Sequence, residues 1–218
     1  MAELDLLRSL PKTRRDVAGR REAKTQEVVR IAKEFGQAYF DGPRAYGYGG
    51  YRYDGRWVPV ARDIVAHYGL GAGDRVLDVG CAKGFLVRDL LDACPGLEVF
   101  GLDISAYALA NADPRCRGRL VRGSAEFLPF ADRAFACVLA LDTVHNLPRA
   151  GAVRALAEIQ RVSGGRAFVR VDSYRNAAEK AVFEAWVLTA ETHDSPDGWS
   201  RLFAEAGYGG DHCWTIIA

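Results

Sequence analysis

The stretch from Arg75 to Leu90, RVLDVGCAKGFLVRDL, constrains the fold of this chain more than any other. It starts as a short apolar run, Val76-Leu77-Asp78-Val79, of the kind that forms a strand buried on both faces. It turns through Gly80-Cys81-Ala82-Lys83-Gly84 and leaves as an amphipathic helix with Phe85, Leu86, Leu90 and Leu91 on one side. Glycines let a backbone come close to a ligand, and a helix N-terminus presents unpaired N–H groups. A strand that turns through glycines into a helix therefore reads as a nucleotide-binding device in an α/β domain. The dinucleotide turn is Gly-x-Gly-x-x-Gly. Here the order is Asp78-x-Gly80-x-Ala82-x-Gly84, with an acid at the strand tip.

Two later stretches narrow the ligand. Leu97–Leu102 reads as a second strand ending at Asp103, 19 residues after Gly84. An acid there meets the two vicinal hydroxyls of a ribose with two oxygen acceptors. Ser105 is the better cap for a helix over 106–112. A third strand, Arg119–Arg122, leads into Gly123-Ser124-Ala125-Glu126-Phe127-Leu128-Pro129-Phe130-Ala131-Asp132-Arg133-Ala134-Phe135.

Together these stretches resemble class I S-adenosylmethionine methyltransferases, over about 76–217. In that family the first acid reaches the methionine ammonium and the glycine turn passes under the ligand. The loop after strand 3, usually G-D-A-x-x-L-P-F-x-D-x-S-F-D, holds the adenine. Leu128-Pro129-Phe130 and Asp132 to Phe135 match it closely, whereas Ala82 replaces a glycine and Ser124 replaces the acid. The resemblance implies S-adenosylmethionine as cofactor and S-adenosylhomocysteine as product. The implied contacts are Asp78, Gly80, Cys81, Ala82, Lys83, Gly84, Asp103, Ile104, Ser124, Ala125, Glu126 and Leu141, with Tyr48 and Arg56 from a preceding loop. It implies a Rossmann-like α/β sheet, mostly parallel, of six to seven strands with helices on both faces. The family closes with a helix and two strands, the last antiparallel. This chain has room for one strand, near Cys213–Ile217, after a helix over 196–206.

Residues 1–57 read as an N-terminal helical cap and lid, and 58–218 as the cofactor-binding domain. Residues 1–40 read as helical. Between Arg8 and Glu34 stand nine basic and four acidic side chains, either a solvated face or a guide for an anionic substrate. Residues 41–57, DGPRAYGYGGYRYDGRW, hold five glycines and four tyrosines. Mobile backbone with large amphipathic side chains suits a loop lying over a ligand; the alternative is an irregular connection with its tyrosines packed on the surface. Tyr46, Tyr51, Tyr53 and Trp57 are the substrate-facing candidates there.

Strand 4, Ala136–Leu141, ends in Asp142-Thr143-Val144-His145-Asn146, and strand 5, Ala167–Val171, in Asp172-Ser173-Tyr174-Arg175. Ligands of open α/β sheets bind beyond these ends. The sulfonium methyl is a strong electrophile, so the protein chiefly has to hold the acceptor in line and exclude water, with a base if the nucleophile is a hydroxyl. His145, Asp142 and Asp172 are the candidates for catalysis, although His145 also reads as a loop cap. Asn146, Tyr174, Trp186 and His193 are candidates for the acceptor pocket. Asp142 and Asp172 could share a divalent ion as in metal-dependent O-methyltransferases, but that family's Asp-Asn pair after strand 5 is absent, and no metal is expected.

Neither Asn-Pro-Pro-Tyr-like nor Pro-Cys sequences stand at the strand 4 tip, which counts against adenine N6 and cytosine C5 methylation. Net charge is +1, so there is no global argument for nucleic acid or membrane. No apolar run reaches 18 residues, the first residues lack a signal-peptide pattern, and the five scattered cysteines form no C-x-x-C. These features predict a cytoplasmic enzyme acting on an O or N atom, or less readily S, of a small molecule that carries negative charge if the basic stretch is a guide. An RNA methyltransferase using that stretch, or a non-catalytic S-adenosylmethionine-binding protein, are the alternatives.

Overall fold

The computed structural model describes residues 1–11 and 15–217. The strands are β1 (Arg75–Val79), β2 (Glu98–Asp103), β3 (Leu120–Arg122), β4 (Cys137–Leu141), β5 (Ala167–Ser173) and β6 (Asp211–Ile216). They form one sheet in the order β3-β2-β1-β4-β5-β6. All five pairings are parallel, the last included, with Phe168 opposite Asp211 and Ser173 opposite Ile216. The chain crosses back over helix α9 (Pro196–Glu205) before β6, and a helical crossover returns a strand parallel. The strand order reverses between β1 and β4, which opens a crevice at their carboxyl ends.

Strand alternation divides the core. Leu77 and Val79 of β1 face a layer with α7 (Arg149–Ser163) and α9, packed on Leu156, Ile159, Trp199 and Phe203. Val76 faces α4 (Val58–Tyr68) and α5 (Phe85–Ala93), packed on Val60, Ile64, Leu86 and Leu90. Asp78 lies on this second side at the strand's end, which is how a carboxylate comes to be buried at the tip.

The N-terminal residues differ from the expected helix. Residues 2–4 lie along the free edge of β6, where Leu4 N–H donates to His212 O (2.8 Å) and His212 N–H to Ala2 O (3.0 Å). Leu6 and Leu7 then join the α4–α5 core. An edge strand leaves a row of unpaired backbone groups, and pairing here satisfies some of them. Residues 12–14 of the expected helical stretch lie outside the described residues. Three short helices follow: α1 (Val17–Ala23), α2 (Gln26–Lys33) and α3 (Gln37–Phe40). α6 is Ala106–Ala110 and α8 is Ala177–Trp186. The helix expected over 176–190 stops at Trp186 because Glu191 and Thr192 turn back to donate their N–H groups to His145 O (2.9 and 3.0 Å). Among the described residues no helix is long and apolar enough to cross a membrane.

Candidate active site

The glycine turn is shaped by its neighbours. Gly80 has φ 82°, and a Cβ on it would lie 1.9 Å from Thr143 Oγ1 at the tip of β4. Thr143 in turn donates to Val79 O (3.1 Å), tying the two strand tips together. Ala82 also adopts a left-handed φ, 50°, which a glycine would adopt at lower cost. Its N–H donates to Asp103 Oδ2 (2.7 Å), and Ser105 N–H donates to Asp103 Oδ1 (2.8 Å). Ser105 Oγ caps α6 through Ala108 N–H (2.9 Å), so Asp103 is the acid of the turn and not the helix cap. Asp78 is buried beside the same turn, and among the described residues no group hydrogen-bonds its carboxyl. Burial, with the Asp103 charge added, pushes its pKa from an ordinary 3.8 up to about 7. Burial likewise raises that of Asp103, against the pull of the amides it accepts.

At the other two tips, Asp142 sits at φ 55°, a strained conformation for a residue with a side chain. Both its oxygens accept from the Arg170 guanidinium, Oδ1 from Nε at 2.8 Å. His145 is buried, and its Nδ1 accepts the Asp172 N–H (3.0 Å). The neutral ring therefore carries its proton on Nε2, which lies 3.7 Å from Asp172 Oδ2. Burial raises the Asp172 pKa first, the imidazole opposes that, and Asp142 adds to it. Asn146 donates to Asp142 O (2.9 Å), while its buried Oδ1 has no partner among the described residues. One donor atom each from Asp142, His145 and Asp172 lie within 4.8 Å of one another. Two of the three are already engaged, by Arg170 and by a backbone amide, and the guanidinium balances the charge that a divalent ion would otherwise meet.

A family model described as a methyltransferase domain matches residues 76–164, from β1 to the end of α7. Over these residues the chain is similar to a methyltransferase domain. Domains of this class use S-adenosylmethionine, and the unpartnered Asp78, the amide-bound Asp103 and the turn between them suit a cationic amino-acid nucleoside. Among curated relatives, the malonyl-[acyl-carrier protein] O-methyltransferase of Legionella pneumophila is 33% identical over 95 residues, 41% of this chain and 34% of that one. The demethylmenaquinone methyltransferase of Thermotoga maritima is 34% identical over 41% of this chain and 38% of its own. Matched segments thus span well under half of those relatives' lengths. A solved Haloferax volcanii complex of the Trm112 methyltransferase activator with a methyltransferase contains a chain 26% identical, with a TM-score of 0.55, over 67% of this chain and 66% of its own.

The glycine turn is roofed by residues 35–57. Phe40 and Tyr51 pack on Ala82 and on Tyr107 of α6. Tyr51 stacks on Phe85 (5.0 Å) and lies 4.5 Å from Tyr48. Tyr48, itself exposed, donates its N–H to Tyr39 O (2.8 Å), and the two rings pack edge-on at 5.2 Å. The latch is Lys83, whose Nζ donates to both Asp41 oxygens (2.6 and 2.9 Å) and to Tyr51 O (3.0 Å). Asp41 also accepts Tyr107 O–H (2.7 Å) and Tyr51 N–H (3.1 Å).

Several expected contacts are placed elsewhere. The side chain of Lys83 is committed to the roof rather than to a cofactor. Cys81 packs its thiol against Gly101 of β2, inside the core. Glu126 pairs with Arg154 of α7, which leaves Ser124 and the Ala125 amide for an adenine. Tyr53 turns away, its hydroxyl donating to Asp89 (2.8 Å) under the Arg88 guanidinium. Arg56 pairs with Asp54, and Trp57, at the start of α4, packs against the α4–α5 core. Tyr46 is half-buried in a short 3-10 turn, Arg44–Tyr46, and Leu141 is half-buried at the β4 tip. Ile104 is exposed beside Asp103. Tyr174 and His193 pack with Phe183. His193 borders a cavity of about 260 Å³ with Arg149 and Arg201, on the α7–α9 side. Sequence reasoning missed Tyr39, Asp41, Tyr107, Thr143 and Arg170, which no motif marks and which only chain crossings bring to the crevice.

Proposed function

We propose that the chain is an enzyme that transfers the methyl group of S-adenosylmethionine to an oxygen or nitrogen of a small molecule. The observation that carries this is Asp78: a carboxyl buried at a strand tip, with no hydrogen-bond partner among the described residues, one turn away from amides fixed by Asp103. A buried acid in that state waits for a cation. Asp78 would meet the ammonium of the methionine part, Asp103 the ribose hydroxyls, Ser124 and the Ala125 amide the adenine, and Ile104 its face. The bound cofactor supplies a methyl group activated by its sulfonium. Tyr39, Tyr48 and Tyr51 close the crevice and exclude water, and the acceptor is held in line between them and the β4 and β5 tips.

Asp172 is the better base for an acceptor hydroxyl, and His145 its positioning residue. In the tautomer set by the Asp172 amide, His145 presents a donor toward the carboxylate and no free lone pair, so it holds Asp172 in place. Asn146 Oδ1, an unused acceptor, suits an acceptor N–H or O–H. A small acceptor is favoured over RNA because Arg20 and Lys24 of the basic stretch turn inward onto backbone carbonyls.

Calorimetry with S-adenosylhomocysteine tests the reading. Wild type should bind it and Asp78→Asn should bind much more weakly. Equal affinity in both would overturn the cofactor assignment. Release of S-adenosylhomocysteine with hydroxyl and amine acceptors then separates oxygen from nitrogen, and no turnover with either would leave a binding protein.

A further inference from the structure

Three arginines converge on one tryptophan at the end of the crevice. The guanidinium carbons of Arg20, Arg44 and Arg15 lie 4.9, 5.4 and 5.8 Å from the centre of the Trp186 ring. They come from α1, its preceding residue stretch and the roof, while Trp186 ends α8. Cations stack on an indole singly with profit, but three like charges around one ring repel each other. Their hydrogen bonds go to neutral groups: Arg20 to Ala45 O (2.8 Å) and Gly47 O (3.3 Å), Arg44 to Gly47 O (2.5 Å). Among the described residues none of the three has a carboxylate within salt-bridge distance. Arg20 is buried, and its pKa is lowered by burial and by Arg44.

The cluster adjoins the reaction crevice. Arg20 and Arg44 both donate to Gly47 O, which adjoins Tyr48 in the chain and lies against Tyr39 of the roof. The crevice is thus acidic at its floor, where a sulfonium is wanted, and basic at this end. Resting on the small-molecule reading above, we infer that Arg15, Arg20 and Arg44, seated on Trp186, form a subsite for an oxyanion group, carboxylate or phosphate, carried by the methyl acceptor. Guanidinium N–H pairs suit both groups.

The test uses the full chain at constant ionic strength, with chloride as the balancing anion. Inorganic phosphate and acetate are titrated separately while tryptophan fluorescence is followed, with Trp186→Phe to assign the signal. One anion, or both, should give a saturable change, and which one saturates at lower concentration names the group. Arg15→Met with Arg44→Met, both away from the buried position, should weaken that binding by about tenfold or more, the scale of a lost charge-assisted contact. The affinity for S-adenosylhomocysteine should stay the same in the double variant. No saturable response to either anion in wild type, or an undiminished one in the double variant, would overturn the subsite and show the arginines to be packing on Trp186 only. Loss of S-adenosylhomocysteine binding by wild type would instead sink the methyltransferase reading, so the two failures are separable.

Discussion

The β1–β2 side of the crevice and the β4–β5 side are assembled from different materials. On the first, the decisive contacts are made by main-chain amides: those of Ala82 and Ser105 on the Asp103 carboxylate, those of Gly80 and Cys81 on Leu102 O. On the second each contact needs a side chain from a distant segment: Arg170 on the Asp142 carboxylate, the His145 ring on the Asp172 amide, three arginines around Trp186. A site made of backbone tolerates exchange of its side chains, apart from the acids and glycines that shape it. A site made of side chains can be rebuilt for another acceptor while the cofactor half is left intact. The segment matched by the family model, residues 76–164, contains the first half whole but of the second only the β4 tip.

Substitutions can break this contrast. The largest effect is expected for Asp103→Ala, which leaves the Ala82 and Ser105 amides without acceptors. S-adenosylhomocysteine affinity should fall by about a hundredfold or more, read by calorimetry, with the fold retained by circular dichroism. Next, Asp172→Asn should cut kcat on a hydroxyl acceptor by about 10²-fold or more and leave S-adenosylhomocysteine affinity alone. Since a base works only when ionised and burial raises this carboxyl, the wild-type rate should climb with pH above the usual carboxylate range. An unchanged kcat would remove Asp172 from the chemistry.

Lys83→Met joins the two halves, for it cuts the tie between glycine turn and roof. It should cost about 1–3 kcal/mol in denaturant unfolding and speed proteolysis within 41–57, because Asp41 is left without its cation. A smaller effect concerns Asp78. Its carboxyl loses its proton near 3.8 when unfolded and near 7 when folded, so between those values the folded chain holds the extra proton. Stability of the ligand-free protein should therefore fall as pH rises through that window, and Asp78→Asn should flatten the dependence. Binding a cation there should release a proton near pH 7, measurable as a dependence of the binding heat on buffer. The smallest change is expected for Ala82→Gly: it relieves a left-handed φ worth about 1 kcal/mol and gives up the methyl under Phe40, so unfolding should move by less than that.

Local pattern made much of the cofactor half legible. Asp78, the Gly80–Gly84 turn, Asp103 and the Ser124–Phe130 loop each sit next to the strand that positions them, and a short parallel strand with its turn fixes where they end up. Side-chain direction was less legible. Lys83, Cys81, Glu126 and Tyr53 fall within or beside the motifs, yet each is claimed by a partner far along the chain: Asp41, Gly101, Arg154 and Asp89. His145 stands out as a base by residue type, and the hydrogen bond at its Nδ1 is what supports proposing Asp172 in its place.

Taken alone, then, the amino-acid order determines the strand-turn-helix, the two acids and the class of cofactor, because these depend on contacts between neighbours in sequence and on the period of a buried strand. Tertiary structure decides the parallel β6, the N-terminal residues on its edge, the Lys83 latch and the arginines around Trp186. Those contacts join segments far apart in the chain, as Leu4 with His212 does, and which of many chemically similar side chains meets which is set only when the helices have packed on both faces of the sheet.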